Sequence, residues 1–276
     1  MRNHTIACVV TIAGTDPSGG AGIQADIKAI SATGSYAASI ITALVAQNTQ
    51  GVQAIQEIPV SFIEQQIASV FSDLTVNAVK IGMLHDEKII AAVATALSTI
   101  KPPHVVFDPV MVAKNGSVLL KLDTINFLKQ CLFPHIHLIT PNLFEAEQLL
   151  GEKIENTTAM ASAAKKMADE FKLNVLLKGG HLTTQQSSDV LHIYRDNTQH
   201  WFHANRINTR NTHGTGCSLS SAIASFLAQD YALVDAISHA KQYLTDAIQS
   251  GSRLQIGRGC GPVDHFYQLR HKENSL

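Results

Sequence analysis

The feature that most constrains this chain is an alternation. Short apolar runs of strand length, at 7–13, 38–45, 78–81, 104–107, 136–139 and 174–177, are separated by stretches whose apolar residues return at helical spacing. Strands apolar along their whole length need cover on both faces, and crossover helices between parallel strands provide it. The expectation is an α/β fold with a mostly parallel central sheet and helices on both faces. The helical stretches are Ile23–Ile30, with a stripe at i, i+4 and i+7 and Gly34 as its stop, then Phe62–Phe71, Glu87–Leu97, Ala159–Phe171, Cys217–Leu227 and Ala232–Gln249. Between 189 and 207 two apolar segments flank Asp196-Asn197, which reads as a hairpin forming an antiparallel edge of the same sheet.

At 276 residues the chain is near the size at which one hydrophobic core stops growing, and it shows no repeat, low-complexity tract or linker, so residues 1–276 are expected to form one domain. The formal net charge is −1 and the Lys and Arg residues are scattered, which argues against a nucleic-acid or anionic-membrane partner. The first apolar run meets Gly14 too early for a signal h-region or a spanning helix, so a cytoplasmic location is expected. Cys8, Cys131, Cys217 and Cys260 lie far apart without a CxxC pair, and the histidines form no HExxH, so neither a disulfide framework nor a structural zinc is expected.

Three groups of residues fall just beyond the carboxyl ends of expected strands, where open α/β sheets bind ligands. Gly14-Thr15-Asp16-Pro17-Ser18-Gly19-Gly20-Ala21-Gly22 leads from the first strand into a helix, and its glycines let backbone approach a ligand. It is neither a Walker A loop nor a GxGxxG turn, and a long polar connection explains the same residues. Asp26, on the opening turns of the helix, is either a carboxylate favoured by the helix dipole or an anchor for a substrate amine. Asn211-Thr212-His213-Gly214-Thr215-Gly216-Cys217-Ser218 opens another helix, where converging amides bind an anion, phosphate above all; a plain glycine loop is the alternative. Cys217 would stand in the first turn, where a thiol pKa tends to fall. Asp108-Pro109-Val110-Met111, Thr140-Pro141-Asn142 with Glu145, and Lys178-Gly179-Gly180 each end a strand. Singly, Thr-Pro-Asn caps a helix and Lys178 is a solvated strand end. Jointly they supply what phosphoryl transfer requires: carboxylates for Mg²⁺ or its waters and a cation for the transferring group.

Taken together, Thr11 to Asp26, Lys80-Ile81-Gly82-Met83, Asp108 to Met111, Thr140-Pro141-Asn142, Leu177 to His181 and Thr212 to Cys217 resemble the hydroxymethylpyrimidine/phosphomethylpyrimidine kinases, in order and over almost the whole chain. The resemblance implies a ribokinase-like three-layer sandwich and two successive ATP-dependent phosphorylations, of 4-amino-5-hydroxymethyl-2-methylpyrimidine and of its monophosphate, leading to thiamine. It implies Mg²⁺ and a homodimer. It places Gly14, Asp26, Gln47, Met83 and Val110 around the pyrimidine, with Asp26 and Gln47 as polar partners of the ring. Lys178, Asp108, Asn142, Glu145, Thr212 and Lys241 would face the nucleotide, Asp108 and Glu145 holding magnesium directly or through water. Gly214 and Gly216 would form the anion hole with Cys217, which stands where many sugar kinases of the superfamily have Asp and is expected to be a base or positioning group. The closing segment Gly257 to Phe266 departs from the family pattern at Cys260 and Asp264. The rival expectations are a pyridoxal kinase of the same superfamily and a non-catalytic pyrimidine-binding module.

Overall fold

The computed structural model describes residues 5–111, 122–180 and 186–270. Its strands, in chain order, are β1 (Cys8–Ala13), β2 (Tyr36–Ile41), β3 (Ala43–Asn48), β4 (Gly51–Glu57), β5 (Ala78–Ile81), β6 (His104–Phe107), β7 (Leu138–Ile139), β8 (Asn174–Lys178), β9 (Gln186–Ile193) and β10 (Thr198–Asn205). The helices are α1 (Gly22–Ala32), α2 (Val60–Asp73), α3 (Glu87–Ile100), α4 (Leu122–Cys131), α5 (Leu143–Leu150), α6 (Thr157–Phe171), α7 (Thr215–Ala228), α8 (Leu233–Gly251) and α9 (Tyr267–Arg270). Among the described residues the main sheet has the order β10-β9-β8-β7-β6-β5-β1-β2. Neighbours from β8 to β2 pair in parallel, while β8–β9 and β9–β10 are antiparallel, so the expected hairpin is the sheet edge.

Alternation along each strand feeds two separate cores. Val10, Ile12, Val79, Ile81, Val105 and Phe107 face α2, α3, α4 and α6, whereas Val9, Ala78, Val106, Leu138 and Leu176 face α1, α7 and α8. Each fully buried Val, Ile or Leu stabilises by about 1.5–3 kcal/mol, which explains why these strands read as unbroken apolar runs. Small residues let α7 lie close to the sheet: Ser218, Ala222, Ala224 and Ser225 are completely buried. Asp86 starts α3 by accepting from the Lys88 N–H at 2.7 Å, and Asn142 starts α5 through a capping box with Glu145.

The expected strand at 38–45 is two strands in two sheets. Thr42 is pinned between them, its N–H donating to Ala13 O at 3.0 Å and its hydroxyl to Met83 O at 3.1 Å, and beyond it the chain leaves the main sheet. There β3 pairs antiparallel with β4 in a separate two-stranded sheet. The 136–139 run contracts to Leu138–Ile139, because Ile136 closes the 3-10 turn Phe133–His135. The tip of the β3–β4 hairpin is held by the C-terminal segment: Gly259 N–H donates to Thr49 Oγ1 at 3.1 Å and Cys260 N–H to Thr49 O at 2.9 Å.

Candidate active site

Parallel strands bring their carboxyl ends to one rim, and a cleft of about 500 Å³ opens there. Gly14, Met83 and Val110 line it, with Gln47 reaching in from the hairpin beside Val45, Val52 and Ile55. On another side stand Asp108, Asn142, Glu145 and Lys178, and the turn Thr212–Cys217 closes it. An adjoining hollow of about 400 Å³ shares Asn142, Lys178, Thr212, Thr215 and Gly216 with the cleft and adds Asp189 and Lys241.

Two glycine-rich turns meet face to face. Asp16 organises the first: its Oδ1 accepts from the Ser18 N–H at 2.9 Å and hydroxyl at 2.7 Å, and its Oδ2 accepts from the Ala21 N–H at 2.7 Å. His213 Nε2, in the second turn, is 2.7 Å from the same Oδ2. Burial pushes the Asp16 carboxyl up, but bonds from His213 and Ser18 hold it below its ordinary range. The fit depends on glycine. Gly214 has φ +77°, and a Cβ on it would fall 1.7 Å from Gly20 O, while one on Gly20 would come within 2.4 Å of the His213 ring.

Gly214 is also the N-cap of α7 and brings no capping side chain, so the first amides of a 14-residue helix are open to the shared wall of the two hollows. Unsatisfied N–H groups and the dipole make that end attractive to an anion. Lys178 Nζ, 2.7 Å from Asp108 Oδ1, places a cation beside it, and Thr140 Oγ1 donates to the same oxygen at 3.1 Å. Burial raises Glu145 to about 7, with Lys178 opposing and Asp108 reinforcing the shift. In the adjoining hollow Lys241 is 2.6 Å from Asp189 Oδ2, and Asp189 Oδ1 accepts from the Gly179 N–H at 3.0 Å. Asp189 went unnoticed in the sequence, where nothing marks it among the residues of the hairpin.

Two expectations change. Asp26 lines neither hollow: it is fully buried, and its carboxylate takes Lys80 Nζ at 2.8 Å on both oxygens, Thr11 Oγ1 at 2.6 Å and Ser221 Oγ at 2.8 Å. Those partners occupy its acceptor directions, so Asp26 stands behind the cleft wall as a buried, fully bonded anion. Lys80, which sequence reasoning quoted without a role, is its counterion; a lysine inside the buried run Ala78-Val79-Lys80-Ile81 was the available signal. Second, the Cys217 thiol is not lowered. Burial pushes it up to about 11, although Lys80 and the Gly22 N–H act in the opposite direction. The helix terminus therefore does not outweigh desolvation here. Among the described residues no group of three or more His, Cys, Asp and Glu is arranged to hold a metal, which leaves Asp108 and Glu145 as a pair of carboxylates. His181 lies outside the described residues.

The phosphomethylpyrimidine kinase family profile matches residues 16–264. The hydroxymethylpyrimidine/phosphomethylpyrimidine kinase of Rhizobium meliloti is 46% identical over 263 residues, 95% of this chain and 98% of that protein. The thiamine biosynthesis bifunctional protein ThiED of Geobacter sulfurreducens is 47% identical over 94% of this chain, and the chain spans 52% of its length. Among solved structures, the ADP complex of Bacillus subtilis pyridoxal kinase matches with a TM-score of 0.87 at 34% identity, over 96% of this chain and 99% of that one.

Proposed function

Because the chain belongs to the phosphomethylpyrimidine kinase family, and is thereby an ATP-dependent phosphotransferase acting on hydroxymethylpyrimidine and its monophosphate in thiamine biosynthesis, we propose how its two hollows divide that reaction. The ribokinase-like sheet puts both at one rim. In this reading the pyrimidine lies in the larger cleft against Gly14, Met83 and Val110 with Gln47 on its polar edge, and the nucleotide lies in the adjoining hollow toward Lys241. The γ-phosphate would then meet the amides of Gly214, Gly216 and Cys217, next to Lys178.

The observation that carries this assignment is the uncapped start of α7 at the wall common to both hollows. A transferring phosphoryl passes through a loose transition state, so catalysis is mainly positioning and charge neutralisation. Open amides and a half-buried lysine provide that without covalent chemistry. A thiol held near 11 is neutral at pH 7, which favours Cys217 as a group that orients the hydroxymethyl oxygen over one that removes its proton. Thr212 and Asn142 would border the phosphates. Hard oxygen donors suit Mg²⁺, and Asp108 with Glu145 would hold it or its waters; when bound, the ion offsets phosphate charge. Residues 1–276 as one unit, a homodimer and a cytoplasmic location complete the reading. No helix among the described residues is long and apolar enough to cross a membrane.

The test is phosphorus NMR of the pyrimidine after incubation with Mg-ATP, with initial rates on pyridoxal in parallel. Mono- and then diphosphate are expected. A higher kcat/KM for pyridoxal would overturn the substrate assignment, and tight pyrimidine binding without ADP production would favour a binding module.

A further inference from the structure

We infer that Asp16 and His213 form a positioning pair that fixes the amide face of Gln47, turning its Oε1 toward His213 and its NH₂ into the cleft. The inference rests on the reading of that cleft as the heterocycle site.

His213 Nε2 is bracketed by two partners, Asp16 Oδ2 at 2.7 Å and Gln47 Nε2 at 3.2 Å. An ionised carboxylate only accepts, so the ring nitrogen facing it must carry a hydrogen. Asp16 is 1% exposed and already takes three N–H or O–H donors, an arrangement that suits only the ionised form. Once Nε2 carries a hydrogen it cannot accept one from the Gln47 NH₂. The two ends of a carboxamide have the same shape, and their assignment follows the hydrogen-bond network. The network here therefore calls for Oε1 beside the imidazole, sharing the N–H that Asp16 receives.

The backbone supports the placement. Register in the hairpin shifts between Ala46 and Gln47, and such an irregularity re-aims a side chain away from the ladder. The imidazole itself is held in place from behind, since a Cβ on Gly20 would overlap its Cδ2 at 2.4 Å. His213 also directly precedes the Gly214 cap of α7. One side chain thus joins the phosphate-binding turn to the residue that meets the heterocycle.

The consequence is a recognition rule. A cleft-facing NH₂ offers donors and therefore selects a heterocycle that presents a lone pair there, an unprotonated ring nitrogen.

The experiment compares the parent hydroxymethylpyrimidine with its two aminopyridine analogues, in which one or the other ring nitrogen is replaced by C–H. In the unaltered protein one analogue should lose about tenfold or more in kcat/KM, mainly through KM, because a buried donor is left unmatched. That penalty should shrink to less than about threefold in Gln47→Ala and in His213→Phe. His213→Gln, whose Nε2 can still donate to Asp16, should retain it. Thermal melts establish that each variant is folded, and Gln47→Ala carries the comparison if His213→Phe is not. An undiminished penalty in folded His213→Phe, or no penalty with either analogue in the unaltered protein, would overturn the inference. Failure to phosphorylate the parent compound would instead remove the site reading on which it stands.

Discussion

Replacing Lys80 by Met tests how strongly the buried Asp26 carboxylate depends on its counterion. Lys80 Nζ is 2.8 Å from both carboxylate oxygens, and neither side chain has exposed surface. Breaking a buried pair by removing one partner costs about 3–5 kcal/mol, because the remaining charge is stranded. The stranded carboxyl can escape by taking a proton. At pH 7 that costs about 4 kcal/mol for a carboxyl of ordinary pKa, which sets a ceiling on the loss. Hydroxyl bonds from Thr11 and Ser221 survive the substitution and favour the middle of the range. A protonated Asp26 in the folded variant would bind more protons than the unfolded chain, so the deficit should grow with pH, by about 1.4 kcal/mol per unit between pH 5 and 7. Guanidinium unfolding followed by circular dichroism at pH 5 and pH 7 measures both quantities. Lys80→Met/Asp26→Leu should recover most of the loss, since a well-packed apolar replacement needs no counterion. A loss below about 1 kcal/mol at pH 7, or one equal at both pH values, would refute the argument.

Other outcomes follow from the same geometry. Lys178→Ala should lower kcat by at least about tenfold through lost stabilisation of the transferring phosphoryl, and steady-state kinetics with Mg-ATP would show this. Alkylation of Cys217, read by peptide mass spectrometry, should be slow at pH 7 and rise toward pH 11, in keeping with a thiol raised to about 11. Glu145, raised from 4.5 to about 7, holds an extra proton in the folded state across that window, so its contribution to stability should fall as pH rises from 4.5 to 7 and then level off. The difference in unfolding midpoint between the unaltered protein and Glu145→Gln should follow that curve.

The strands that build the main sheet were legible because burial on both faces removes the need for polar positions. Val9 and Val10 point to opposite cores, yet both are fully buried. Where that condition fails, so does the pattern. Gly51-Val52-Gln53-Ala54-Ile55-Gln56-Glu57 is mostly exposed, and β4 was consequently missed. The break at Thr42 escaped notice because its cause is tertiary, a pair of bonds to Ala13 and Met83. Candidate residues that end a strand or open a helix, as Asp108, Asn142, Lys178 and Gly214 do, all line the cleft. The burial of Asp26 behind the cleft was not legible, for a physical reason. A carboxylate on an early helical turn looks the same in sequence whether it meets a ligand or a lysine from another strand, and the separation of 54 positions between Asp26 and Lys80 hides that pairing.

The fastening of Thr49 by Gly259 and Cys260 bears on how firmly Gln47 is held. Gln47 is carried on a hairpin whose outer end is moored to a distant part of the chain by two hydrogen bonds from backbone N–H groups. At about 0.5–1.5 kcal/mol each, their release would cost about 1–3 kcal/mol, so the tip would come loose in roughly one molecule in six to one in 160, while the base of the hairpin stays bonded to Thr15 through Ala43 O and the Val45 N–H. An anchorage that touches neither reactant thus steadies the strand carrying Gln47, and substitutions near 260 would reach the cleft from outside the chemistry.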